Sequence, residues 1–182
     1  MGAFNNASDG AAETALITGQ SGVGKSALVN EIHKPIVHLR GYFVSGKFDQ
    51  YKRNVPYTGL LHAFGDLVQQ ILAESDERIS LWKERLLAAL GTNGQIIVDV
   101  LPNVALIIGP QQPVQTLPPA EAQNRFNLVF RDFVRVFAGA DNPLVIFLDD
   151  LQWADQPSLL LLGFLASLLS DSKIMLLGTY RD

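Results

Sequence analysis

Gly19-Gln20-Ser21-Gly22-Val23-Gly24-Lys25-Ser26 is the stretch on which the reading of this chain turns. It fits the pattern of a glycine, four free positions, then glycine, lysine and serine or threonine. The apolar run at 14–18 reads as a strand and residues 25–34 are compatible with a helix, so the glycine-rich turn lies between strand and helix as the motif requires. Glycines let the backbone fold tightly, and its N–H groups, with the helix N-terminus, converge on phosphate oxygens that side chains would obstruct. Gly19, Gln20, Ser21, Gly22, Val23, Gly24, Lys25, Ser26 and Ala27 are the candidate cradle for ATP. Within it the Lys25 ammonium suits the β and γ phosphates, and the Ser26 hydroxyl suits magnesium. An ordinary glycine-rich turn before a helix is the bland alternative, and it would leave every fixed position matching by accident.

Outward from this stretch, strands alternate with helices. Residues 41–45, centred on Tyr42, Phe43 and Val44, form a second candidate strand, and 46–57 read as a loop made basic by Lys47, Lys52 and Arg53. Those three are read as solvated loop charges and assigned no site. Leu60, Leu61, Phe64, Leu67, Val68, Ile71 and Leu72 recur at helical spacing, and a further helix stops at Gly91. Residues 96–108, interrupted by Pro102, read as short helix or irregular chain, and Pro110, Pro113, Pro118 and Pro119 mark a connection. A helix from Glu121 carries Phe126, Val129, Phe130, Phe133, Val134 and Phe137 on one face, a core stripe rather than a ligand box. Residues 144–148 are a continuous apolar run bounded by Pro143 and Asp149, which suits a strand buried on both faces of a parallel sheet. A helix at 158–170 and a strand at 174–178 complete an α/β pattern.

The third candidate strand, 144–148, delivers Asp149 and Asp150 to the carboxyl end of the sheet, where open α/β sheets place their ligands. Alone, two aspartates after a strand would begin a turn or cap a helix. Beside a complete phosphate-loop motif, Asp149 becomes the candidate magnesium carboxylate, and Asp150 the group that orients or deprotonates an attacking water. Arg181, after the last strand, is placed to offer a guanidinium to the γ phosphate from the same edge, against the plain alternative of a solvated arginine.

Composition narrows the remaining classes. With 182 residues, 48% of them apolar, the chain is expected to form one globular unit after a flexible segment at 1–13. Lys and Arg total 14 against 18 Asp and Glu, and a net charge of −4 supplies no general field for nucleic acid or anionic lipid. There are no cysteines for disulfides or thiolate metal sites, and His33, His38 and His62 lack metal-ligand spacing. The longest apolar run, 159–169, falls short of the ~20 residues that span a bilayer. Residues 1–13 do not resemble a secretory signal, so a cytoplasmic location without membrane insertion is expected.

The stretches GYFVSGKFDQYKRNVPY (41–57), EAQNRFNLVFRDFV (121–134), LVIFLDDLQWAD (144–155) and LLGTYRD (176–182) resemble the AAA-type ATPase domain of the signal-transduction NTPases with numerous domains, the STAND class. They look most like the ATPase module inside large bacterial serine/threonine kinase and hybrid histidine kinase proteins. The resemblance covers residues 14–182, and its most specific part is the run from Asp149 through Gln152 and Trp153 to Asp155. It implies a P-loop NTPase three-layer sandwich with a mainly parallel sheet ordered 5-1-4-3-2. Paired aspartates would serve magnesium and water, an arginine after strand four, here Arg181, would sense the γ phosphate, and Trp153 and Asp155 would be structural supports. Against that pattern the chain ends after strand four, which would leave strand one unpaired on its outer side and favour self-association.

Two functions of different kind follow. One is an ATP-hydrolysing regulatory switch, a slow ATPase module of a larger bacterial signal-transduction protein in which bound triphosphate and diphosphate favour different arrangements of attached domains, with kinase or histidine kinase signalling domains in trans as expected partners. The other is a non-catalytic nucleotide-binding or interaction module. A DNA-associated AAA-type ATPase is disfavoured by the negative charge and the lack of a DNA-reading helix, and a small-molecule kinase by the lack of an acceptor-binding element.

Overall fold

The continuous apolar run before Asp150 becomes β3 (Leu144–Asp149), an inner strand whose residues are buried or half-buried on both faces. The computed structural model describes residues 13–18, 41–52, 55–138, 143–168 and 173–180. The phosphate-loop residues 19–27, the helix expected at 25–34, His33, His38, Arg53 and Arg181 lie outside the described residues. β1 (Glu13–Thr18), β2 (Tyr42–Lys47), β3 and β4 (Ile174–Tyr180) form one sheet in the order β1-β4-β3-β2. Every pairing is parallel. The fold is α/β with a parallel sheet, and its order is the one the family resemblance implies for strands one to four.

Register assigns the faces. Phe43, Val145 and Met175 lie abreast, as do Phe147, Leu177 and Ala15, and together they make one apolar face of the sheet. Val44, Ile146 and Leu148 point the other way and are also buried, so β3 is covered on both sides.

The described helices are α1 (Thr58–Leu72), α2 (Asp76–Leu90), α3 (Gly94–Val100), α4 (Ala105–Ile108), α5 (Pro119–Phe137) and α6 (Gln156–Leu168). α2 ends at Gly91, whose φ is 53° and whose N–H bonds to the Leu87 carbonyl. Residues 96–108 resolve into α3, a 3-10 turn at Pro102–Val104, and α4, so Pro102 starts a new turn instead of abolishing helical structure. α5 begins two positions before the expected Glu121, since Pro119 fits the first turn, where no amide hydrogen is needed. No helix among the described residues is long and apolar enough to cross a membrane.

The chain divides into two compact units. The first takes its described residues from Met1–Ala63 and Phe137–Asp182 and contains the sheet. The second, Phe64–Val136, has its own aromatic core, in which Phe64 meets Phe130 edge-on at 5.4 Å and Phe133 at 5.7 Å. Phe130 and Phe133 are fully buried, in keeping with a core role for the phenylalanine stripe.

Candidate functional site

In a parallel sheet all carboxyl ends emerge at one edge, and here that edge gathers Thr18, Lys47, Asp149 and Tyr180. Lys47 pairs directly with Asp149 across β2 and β3. Leu148 pairs with Gly178, so Asp149 comes level with Thr179 one step further on. Because side chains alternate along a strand, Lys47, Asp149 and Thr179 all stand on the face that carries Phe43, Phe147 and Leu177.

The polar contacts follow from that register. Thr179, 1% exposed, donates its hydroxyl to Asp149 Oδ1, and the same hydroxyl oxygen accepts the Asp150 N–H at 3.2 Å. The Asp150 N–H also reaches Asp149 Oδ1 at 3.0 Å. Oδ1 of Asp149 is therefore fixed by two donors, which orients the carboxylate and leaves Oδ2 directed at the Lys47 ammonium, 3.9 Å away.

Asp150 leaves the strand in the left-handed region, with φ 57° and ψ 46°, a conformation that aspartate tolerates better than most residues. The reversal starts the 3-10 turn Leu151–Trp153, closed by a bond from the Trp153 N–H to the Asp150 carbonyl at 2.9 Å. It leaves Asp150 only 5% exposed, with Lys47 Nζ 3.3 Å from its Oδ2 and the Gln152 amide donating to its Oδ1 at 2.9 Å. A carboxylate this buried is held by charged and amide partners, as the cost of desolvating it demands.

Asp155 has a different task. Its Oδ1 accepts the Ser158 N–H at 2.8 Å and its Oδ2 accepts the Ser158 hydroxyl at 2.7 Å, so it caps the start of α6. The Ser158 oxygen in turn accepts the Tyr57 N–H at 3.1 Å, tying the residue before α1 to the first turn of α6.

Of the residues singled out from sequence, Asp149 and Asp150 meet at the sheet edge, while Gly19, Gln20, Ser21, Gly22, Val23, Gly24, Lys25, Ser26, Ala27 and Arg181 lie outside the described residues. The structure adds Lys47, Thr179 and Gln152 to this constellation. Lys47 is a correction to the loop reading: β2 continues through Gly46 to Lys47, whose exposed side chain reaches the Asp150 carboxylate from the end of the strand. Strand alternation would have found it once Gly46 was allowed inside the strand. Thr179 was concealed by ending the last strand at Gly178, two residues early.

With this geometry in place, the family follows. The chain belongs to the AAA ATPase domain family, whose model matches residues 1–177. It is 44% identical over 158 residues to hybrid signal transduction histidine kinase G of Dictyostelium discoideum, a match covering 87% of this chain and 4% of that protein. It is 23% identical over 169 residues to histidine protein kinase 1 of Candida albicans, covering 85% of this chain and 7% of that protein. The chain thus spans a small fraction of the length of these relatives.

Proposed function

We propose that this chain binds ATP with magnesium and acts as a regulatory nucleotide switch within a signal-transduction protein. The observation that carries the reading is the position of Asp149 and Asp150 at the sheet edge where β1 ends, at Thr18, one residue before the glycine-rich motif in sequence. In this reading Gly19, Gln20, Ser21, Gly22, Val23, Gly24 and Ala27 cradle the phosphates, and Lys25 neutralises the β and γ groups. Ser26 and Asp149 would hold magnesium, which would supply positive charge to offset that of the phosphates. The anchored Oδ1 and the outward Oδ2 of Asp149 suit that task. Asp150 orients or deprotonates water, and Arg181, next after Tyr180 in sequence, senses the γ phosphate.

Both relatives are histidine kinases by name, which supports a regulatory role beside kinase modules. A switch of this kind works only as far as ATP and ADP differ in affinity for two arrangements of the protein. Calorimetric titration with ATP and magnesium, run beside Lys25→Ala, tests the site: micromolar binding lost in the variant supports it, and no binding to folded wild-type protein overturns it. Phosphate release that vanishes in Asp150→Asn while nucleotide binding persists supports hydrolysis through Asp150.

A further inference from the structure

Lys47 brings a cation to the two carboxylates that the proposed function gives to magnesium and water. Its Nζ is 3.3 Å from Asp150 Oδ2 and 3.9 Å from Asp149 Oδ2, on the side of Asp149 opposite the oxygen held by Thr179 and the Asp150 N–H. We infer that Lys47 is a built-in competitor of the divalent cation: its ammonium lies against Asp150 and close to Asp149, and must leave for magnesium to enter. The inference rests on the assignment of Asp149 to the metal.

Three features support competition over a fixed structural pair. The Asp150 side chain is only 7% exposed, so its charge draws a counter-cation strongly, while the Lys47 side chain is 65% exposed and can carry its ammonium into water on a flexible stem. Lys47 Nζ, 3.3 Å from Asp150 Oδ2, stands 3.9 Å from the Asp149 oxygen proposed for the metal, near enough that a divalent ion on that oxygen would repel it, so the monovalent group yields when the divalent ion arrives. Finally, the lysine ends β2 while Asp149 ends β3 and Asp150 follows it, so Lys47 can withdraw without disturbing the Thr179 contacts that orient Asp149. The consequence is a threshold: the domain takes up its metal only when nucleotide phosphates add enough attraction to displace the lysine.

Manganese serves as the probe, because the free aquo ion is counted directly from its paramagnetic resonance signal. The full chain is titrated without nucleotide and with ADP, alongside Lys47→Met, Lys47→Gln, Lys47→Arg and Asp149→Asn. Two neutral variants are used so that a folding defect peculiar to one leaves the other to decide, with circular dichroism melts reporting the fold. Competition gives manganese binding about fivefold tighter in the neutral Lys47 variants without nucleotide, the scale of a lost ion pair at a partly exposed site, and wild-type behaviour in Lys47→Arg. Equal or weaker binding in the neutral variants overturns it, since a lysine that merely braces the aspartates would loosen the metal site when removed. Loss of binding in Asp149→Asn with no gain in the Lys47 variants overturns competition alone. Unchanged binding in Asp149→Asn overturns both competition and the metal assignment.

Discussion

Thr179 illustrates how much one hydroxyl does at this edge. It donates to Asp149 Oδ1 and accepts from the Asp150 N–H, so one buried group fixes the first aspartate and the backbone at which the second turns away from the strand. Thr179→Val keeps the shape and the β-branching but removes both bonds. The expected loss is about 1–2 kcal/mol in a urea melt, since the carboxylate and the N–H keep each other as partners through the 3.0 Å contact. Thr179→Ser, which retains the hydroxyl, should recover most of it. Because Asp149 would rotate more freely, the magnesium dependence of nucleotide binding is also expected to weaken in Thr179→Val; unchanged dependence would separate the hydroxyl from the proposed metal role. The αL conformation of Asp150 adds a local cost that its Gln152 and Lys47 partners help to offset.

Among the elements, β2 and β4 show why strand ends were harder to read than strand centres. The centres announced themselves as apolar runs, and Asp149 and Asp150 were legible because two carboxylates closing such a run stand out. Gly46 and Gly178 look like terminators in one dimension, but each is a glycine because another group lies against it. A Cβ on Gly46 would run into the Gly59 carbonyl at the start of α1, whose carbon would be 2.8 Å away; a Cβ on Gly178 would meet the methyl ends of Leu151 and Leu16, the latter at 2.8 Å. Close approach between elements is a tertiary fact, so both strands were ended early and the polar residues just beyond, Lys47 and Thr179, were lost with them. The nature of the obstruction gives a graded expectation. Gly46→Ala meets backbone that cannot rotate aside and should cost about 3 kcal/mol, whereas Gly178→Ala meets flexible leucine termini and should cost about 1 kcal/mol. Denaturant midpoints measured in parallel would check the ranking, and a reversed order would mean that the first turn of α1 yields more readily than the Leu151 side chain.

At the scale of the whole molecule, the described candidate site residues, Asp149 and Asp150, belong to the unit that contains the sheet, and no residue singled out for the site lies within Phe64–Val136. The second unit is instead built around Phe64, Phe130 and Phe133, with Trp82, Leu86 and Leu90 buried along α2. Ligand binding stabilises the part of a protein that it contacts, by about 2.7 kcal/mol when the ligand stands at a hundredfold its dissociation constant. Local opening reports that stabilisation amide by amide. Hydrogen exchange with and without saturating ATP and magnesium should therefore show the largest gain in protection at the carboxyl ends of β1, β3 and β4, around Thr18, Asp150 and Tyr180. Amides of α2 and of the Phe130 turn of α5 should change least, and Lys25→Ala should abolish the difference throughout. Protection that instead appeared first in Phe64–Val136 would move the nucleotide away from the sheet edge. Equal protection in both units would mean that the chain opens as one cooperative body, in which case a nucleotide bound in one unit is felt by the other through global stability alone.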